Sequence, residues 1–196
     1  MFRRLLSVIL AAFVLTQPTG AALAATRVTV STSQGDFVIE LWPKRAPGTV
    51  ANFLRYVDRG FYDGGVFHRA VTLENQSQNQ IKIEVVQGGI NPAHRNDDGP
   101  TIALERTRDT GLRHRDGTIS MARLEPDTAT SDFFICVNAQ PELDFGGKRN
   151  PDGQGFAAFG QVVRGMEAVR AIQQAPVERQ TLSPPIKIIS MKRATL

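Results

Sequence analysis

The chain has 196 residues, 41% of them hydrophobic and 21% charged, which supports one domain with a substantial core. Its 23 Lys and Arg against 19 Asp and Glu give a net charge of +4, dispersed along the sequence, and this excludes a basic footprint for nucleic acid. Cys136 is the single cysteine, so an internal disulfide is excluded as well.

Arg3 and Arg4 precede a short apolar run from Leu5 to Leu15, and Ala22-Leu23-Ala24 supplies a small-x-small cleavage pattern. Together these predict a signal peptide over 1–24, cleaved after Ala24, with 25–196 as one domain in the periplasm or outside the cell. The apolar run is too short to span a bilayer comfortably. An uncleaved anchor is the competing reading, and no later segment is apolar enough for a membrane span.

Val28 to Ser33 and Asp36 to Trp42 alternate apolar and polar residues around Gln34-Gly35, a hairpin signal. A helix is expected over Pro47 to Arg59, with Val50, Phe53, Leu54 and Val57 at helical spacing and Gly60 as the stop. Strands are expected over Val66 to Val71 and Ile81 to Gln87, joined by a polar loop, Thr72 to Gln80. On the second of these, Ile81, Ile83, Val85 and Gln87 share one face.

Asn91 to Gly117 is polar and arginine-rich, with only Thr101 to Leu104 strand-like. Strands resume at Thr118 to Ala122, Phe133 to Asn138 and Phe156 to Val163, the last two separated by a turn-rich excursion, Gly146 to Gly155. Met166, Val169, Ala171 and Ile172 indicate a second short helix, and Ile186 to Met191 a closing strand. Many short alternating strands with two helices favour a barrel over a sandwich.

Hydrolytic and redox signatures are missing. There is no Gly-x-Ser-x-Gly elbow and no P-loop spacing around Gly147-Lys148. His68, His94 and His114 form no pair at helical spacing and join no cysteine cluster, which argues against zinc. Cys136 sits in the apolar run Phe133 to Val137, where a small buried hydrophobe is its expected role.

Phe67-His68-Arg69, Gln87-Gly88-Gly89, Ser120-Met121-Ala122, Ser131-Asp132-Phe133-Phe134-Ile135-Cys136 and Gly155 to Gly160 follow one another along the chain. In this order they resemble the cyclophilin family of peptidyl-prolyl cis-trans isomerases. The resemblance implies a mainly β fold, a closed antiparallel β-barrel of about eight strands with two capping α-helices. It implies catalysis of X-Pro bond rotation in folding secreted proteins, with no cofactor and no metal. Arg69 matches the family's catalytic arginine, Phe134 the floor of its proline pocket, and Gln87 the glutamine that binds substrate backbone and orients the arginine. Val85, Ala122, Arg123, Asp132, Leu143 and Phe156 fall at its other substrate-binding positions. The implied partners are proline-containing polypeptides and unfolded secreted proteins, met by a monomer.

Some positions depart from the family pattern. No aromatic residue occurs between Arg69 and Gln87, so one apolar wall is missing or supplied differently. Asp132 replaces a glutamine, Arg123 a common asparagine, and Glu142 a frequent aromatic. These changes lead to an expectation of weak cyclosporin sensitivity and of a preference for basic or polar residues near proline. They also motivate an alternative function, a cyclophilin-like module that binds proline peptides with little catalysis.

Overall fold

Strands β1 (Arg27–Thr32) and β2 (Gly35–Leu41) pair in register from Arg27↔Glu40 to Thr32↔Gly35 in the computed structural model, which describes residues 26–194. The expected signal segment lies outside the described residues. The turn closes because Thr32 Oγ1 donates to the Gly35 carbonyl at 2.7 Å and accepts from the Gln34 amide at 3.0 Å. Gly35 takes φ of +113°, a conformation open to glycine.

Helix α1 (Pro47–Asp58) starts on Pro47 and buries Val50, Phe53, Leu54 and Val57. Its first turn has no local cap. Glu105 serves instead, its carboxylate accepting from the Gly48 and Thr49 amides at 3.1 and 2.8 Å, a favourable charge at a helix N-terminus. The remaining strands are β3 (Val66–Val71), β4 (Val85–Gly89), β5 (Thr118–Met121), β6 (Phe133–Cys136), β7 (Ala158–Arg164), β8 (Val177–Glu178) and β9 (Thr181–Arg193). The other helices are α2 (Thr107–Thr110) and α3 (Met166–Gln173).

Eight strands close into an antiparallel ring in the order β1-β2-β7-β5-β6-β4-β3-β9, with β9 returning to β1 and β8 extending β9 as a short hairpin. Closure removes the exposed edges of an open sheet. Helix α1 follows the Leu41 end of β2, and its Phe53 ring lies 5.9 Å from Phe133 and 5.1 Å from Phe159. Helix α3 meets the opposite end, where Ala168 approaches Gly35. The inward faces bury Phe37, Ile39, Phe67, Val86, Ile119, Phe133, Ile135 and Phe159 in one core.

Several boundaries differ from the sequence reading. The strand expected over Ile81 to Gln87 begins at Val85, because the backbone of Ile83 bonds to the buried side chain of Gln76 rather than to a strand. Thr101 to Leu104 makes only an isolated bridge, Ile102↔Ala129. Strand β7 starts at Ala158, since the Phe156 amide is held by the Leu143 carbonyl at 3.0 Å. Strand β9 runs well beyond Ile186 to Met191; its prolines, Pro184 and Pro185, fall where pairing with β3 shifts register, a place where the missing N–H costs no ladder bond.

Candidate functional site

Pairing across the sheet builds the site. Arg69 on β3 stands opposite Gln87 on β4, Gln87 opposite Phe134 on β6, and Phe134 opposite Ser120 on β5. Residues directly opposite one another share a face, with strands about 4.8 Å apart. These four therefore form one transverse row. The next row, Val71, Val85 and Cys136, packs with Phe134, Ile83 and Leu143 in a second apolar cluster outside the barrel core.

A bulge puts Arg69 in that row. Simple alternation would place Arg69 on the same face as Phe67, inside the barrel. Register shifts at His68 against both β4 and β9, so Phe67 stays in the core while Arg69 and Val71 face out. The two glycines after Gln87 are also explained. A Cβ at Gly88 would press on the Phe67 ring at 3.0 Å, and one at Gly89 would overlap the Asp132 carboxylate.

The Arg69 guanidinium is held on two sides by neutral amides. Nη1 donates to Gln87 Oε1 at 3.1 Å, while Nε and Nη2 donate to Gln180 Oε1 at 3.0 and 2.7 Å. Two of its five N–H groups have no partner among the described residues. Burial, and then the Arg149 charge, lowers its pKa from the ordinary arginine value. Gln180 is itself tied to the Thr72–Gln80 loop, donating to the Asn75 carbonyl at 3.2 Å.

Asp132 does not line the cavity, contrary to the sequence expectation of a substrate contact. It stands behind Gln87, accepting from Nε2 at 3.4 Å, and lies 3.8 Å from His68 Nε2. Burial raises the Asp132 carboxyl above its usual range and outweighs the opposing pull of His68. The carboxylate fixes which end of the Gln87 amide turns toward Arg69.

Phe134, 5% exposed, floors a cavity of about 280 Å³. That volume lies at the lower end of small-ligand sites and suits one ring with its flanking backbone. Phe156 meets Phe134 edge-on with centroids 5.3 Å apart, and Leu143 and Val85 complete the apolar lining. Ile83 supplies the wall for which the sequence shows no aromatic residue. Beneath the floor the His114 ring stacks on Phe134 at 6.0 Å. Its Nδ1 pairs with Asp144 Oδ1 at 2.8 Å and its Nε2 with Ser120 Oγ at 3.0 Å. This Asp-His-Ser chain has the residue types of a hydrolase triad, but Ser120 is 0% exposed and no substrate can reach it.

Ala122 and Arg123 both line the cavity. The Ala122 amide already donates to the Asp132 carbonyl at 2.9 Å. The Arg123 guanidinium is turned to the Gly146–Gly155 excursion: it reaches the Gly155 carbonyl at 2.6 Å and Asp152 at 2.7 Å, and it lies over the Phe156 ring. Its side chain therefore fastens the loop that carries Phe156 rather than offering its charge to a ligand. Leu124, 89% exposed on the rim, and Arg149 also line the cavity and carry no sequence signal of their own.

Cys136 is the small buried hydrophobe expected from the sequence, and it lies in the outer cluster because it alternates with Ile135. Burial pushes its thiol pKa up, so it is an apolar packing group rather than a nucleophile. Among the described residues, no cluster of His, Cys, Asp or Glu could hold a metal ion, and no helix is long and apolar enough to cross a membrane. An apolar cup with a tethered guanidinium at its edge can bind a small ring and donate hydrogen bonds. Among the described residues its lining holds no nucleophile and no accessible proton-transfer pair.

A family model described as cyclophilin type peptidyl-prolyl cis-trans isomerase matches residues 27–193. Peptidyl-prolyl cis-trans isomerase A of Dickeya dadantii is 36% identical over 200 residues, covering 98% of each chain. Peptidyl-prolyl cis-trans isomerase B of Escherichia coli is 35% identical over 147 residues, 74% of this chain and 83% of the relative. A solved cyclophilin type isomerase of Cryptosporidium parvum, crystallised in the presence of the dipeptide Ala-Pro, superposes with a TM-score of 0.69 at 23% identity, covering 87% of this chain and 99% of that one. At that identity the superposition speaks to the fold, while the family match and the closer relatives carry the assignment: the chain belongs to the cyclophilin family of peptidyl-prolyl cis-trans isomerases.

Proposed function

We propose that the cavity receives the proline ring of an X-Pro segment on Phe134, and that Arg69 donates to the imide nitrogen as the amide twists. The barrier to this rotation comes from amide resonance, roughly 18–20 kcal/mol. A catalyst has only to bind the twisted amide better than the planar one, and a ten-thousand-fold acceleration corresponds to about 5.5 kcal/mol of such preference. As resonance is lost, the nitrogen lone pair localises and becomes an acceptor. A donor already fixed in place and partly removed from water needs little reorganisation to meet it. Gln87 and Gln180 hold the guanidinium while leaving two N–H groups for substrate.

The observation that carries this reading is that Arg69, Gln87 and Phe134 line one cavity, with an apolar floor and a donor at its edge. The clients are proline-containing segments of unfolded exported proteins, a reading supported by the signal pattern of 1–24. NMR exchange or a protease-coupled assay on a short X-Pro peptide tests the activity. Catalysed cis/trans exchange is expected; a series of X-Pro peptides all exchanging at the uncatalysed rate would overturn it.

A further inference from the structure

Among the described residues three arginines line the cavity, Arg69, Arg123 and Arg149, and no carboxylate does. Asp152 answers the Arg123 charge at 2.7 Å. Among the described residues the other two charges are not answered. Arg69 bonds only to amide oxygens. Arg149 donates from Nη1 to the Ile81 carbonyl at 2.6 Å, and neither makes an ion pair among the described residues.

The neighbouring carboxylates are engaged elsewhere. Asp132 stands behind Gln87 beside His68. Glu142 accepts from the Lys148 amide at 2.8 Å, and Asp144 holds His114. Glu74 lies in the adjoining cleft on the far side of Arg69, exposed to solvent and making no ion pair with it.

Two half-buried like charges beside an apolar floor repel one another and lack counter-charge. A ligand that brings an anion relieves both deficits at once. We infer that this cavity selects proline segments carrying an acidic residue next to the proline, and that Arg149 reads its carboxylate. The inference rests on the proposed proline pocket. Arg149 is assigned rather than Arg69 because, among the described residues, a single one of its five N–H groups is engaged, whereas three of Arg69's are. Its tie to Ile81, two residues before the wall residue Ile83, keeps it at the cavity edge. This selectivity is opposite to the preference for basic or polar neighbours drawn from the sequence departures at Asp132, Arg123 and Glu142.

The test uses two peptide sets, with Glu, Gln or Lys placed immediately before or immediately after the proline. Both kcat/KM for isomerisation and peptide affinity by NMR titration are measured. In at least one set Glu should exceed Gln by about five- to tenfold at roughly 20 mM salt, the scale of a partly desolvated ion pair. At about 500 mM salt the ratio should shrink toward twofold, as screening shortens. Lys should fall below Gln. Arg149→Gln should bring the Glu-to-Gln ratio near unity, and Arg149→Lys should keep part of it.

Equal affinity of the wild-type protein for Glu and Gln peptides in both sets would overturn the inference. So would an Arg149→Gln variant that weakens Glu and Gln peptides by the same factor, which is the behaviour of a mere loop clasp. Should Arg149→Gln not fold, the wild-type peptide and salt series decides alone. Glu-selective binding without catalysed exchange would leave the selectivity standing and sink the proposed isomerisation site, so the two failures are distinguishable.

Discussion

Gln76→Ala should loosen the wall of the proposed proline cavity from a distance. Gln76 is 2% exposed, and its amide makes three bonds to backbone: Nε2 to the Thr72 and Ile83 carbonyls at 2.6 and 2.7 Å, and Oε1 from the Ile83 amide at 3.2 Å. Each such bond contributes about 0.5–1.5 kcal/mol net. Water can reach part of this surface loop, so the loss should fall in the lower half of the summed range, about 2 kcal/mol. Ile83 would then leave the cavity lining, and a partly lost apolar contact of about 1.4 kcal/mol lowers kcat/KM about tenfold. Urea unfolding and an X-Pro exchange assay read the two effects. Stability within about 0.5 kcal/mol of wild type and kcat/KM within about twofold would show that Gln76 does not hold this wall in place.

Asp144→Asn tests the support under Phe134 through pH. Burial alone would raise the Asp144 carboxyl, but hydrogen bonds and charge from His114 hold it below its ordinary value. A depressed folded pKa contributes stability that is present above the unfolded value, about 3.9, and lost as pH falls through the folded one. The variant should therefore be less stable than wild type by about 2 kcal/mol at neutral pH and converge with it at strongly acidic pH; a constant gap would contradict the sign. Arg123→Met should raise amide exchange across Gly146–Gly155 and weaken peptide binding by freeing Phe156, while leaving exchange in β1 and β2 unchanged; uniform exchange changes would argue against a loop-fastening role.

The β1–β2 hairpin, α1 and the β6 strand are legible in the sequence because turn residues and period-2 or period-3.6 patterns are local. The shared outward face of Val85 and Gln87 is legible for the same reason. The placement of Arg69 is not, since alternation alone sends it inward with Phe67 and only the bulge at His68 turns it out. Its clamp by Gln180 joins residues 111 positions apart, and neither side chain carries a local sign of the contact. The His114–Asp144–Ser120 support and the Gln76 loop staple are likewise polar groups buried by tertiary packing. Arg123 and Asp132 were identifiable as departures, but their orientation depends on the Gly146–Gly155 loop and on the space left by Gly89.

In the proposed mechanism a tethered guanidinium lowers the rotation barrier of a proline seated on Phe134. This is tested most directly by kcat/KM of Arg69→Ala on an X-Pro peptide, with circular dichroism showing that the barrel is intact. Removing one preorganised donor should lower kcat/KM by about a hundred- to a thousandfold. A folded Arg69→Ala protein retaining more than about a fifth of wild-type kcat/KM would rule out this role for Arg69.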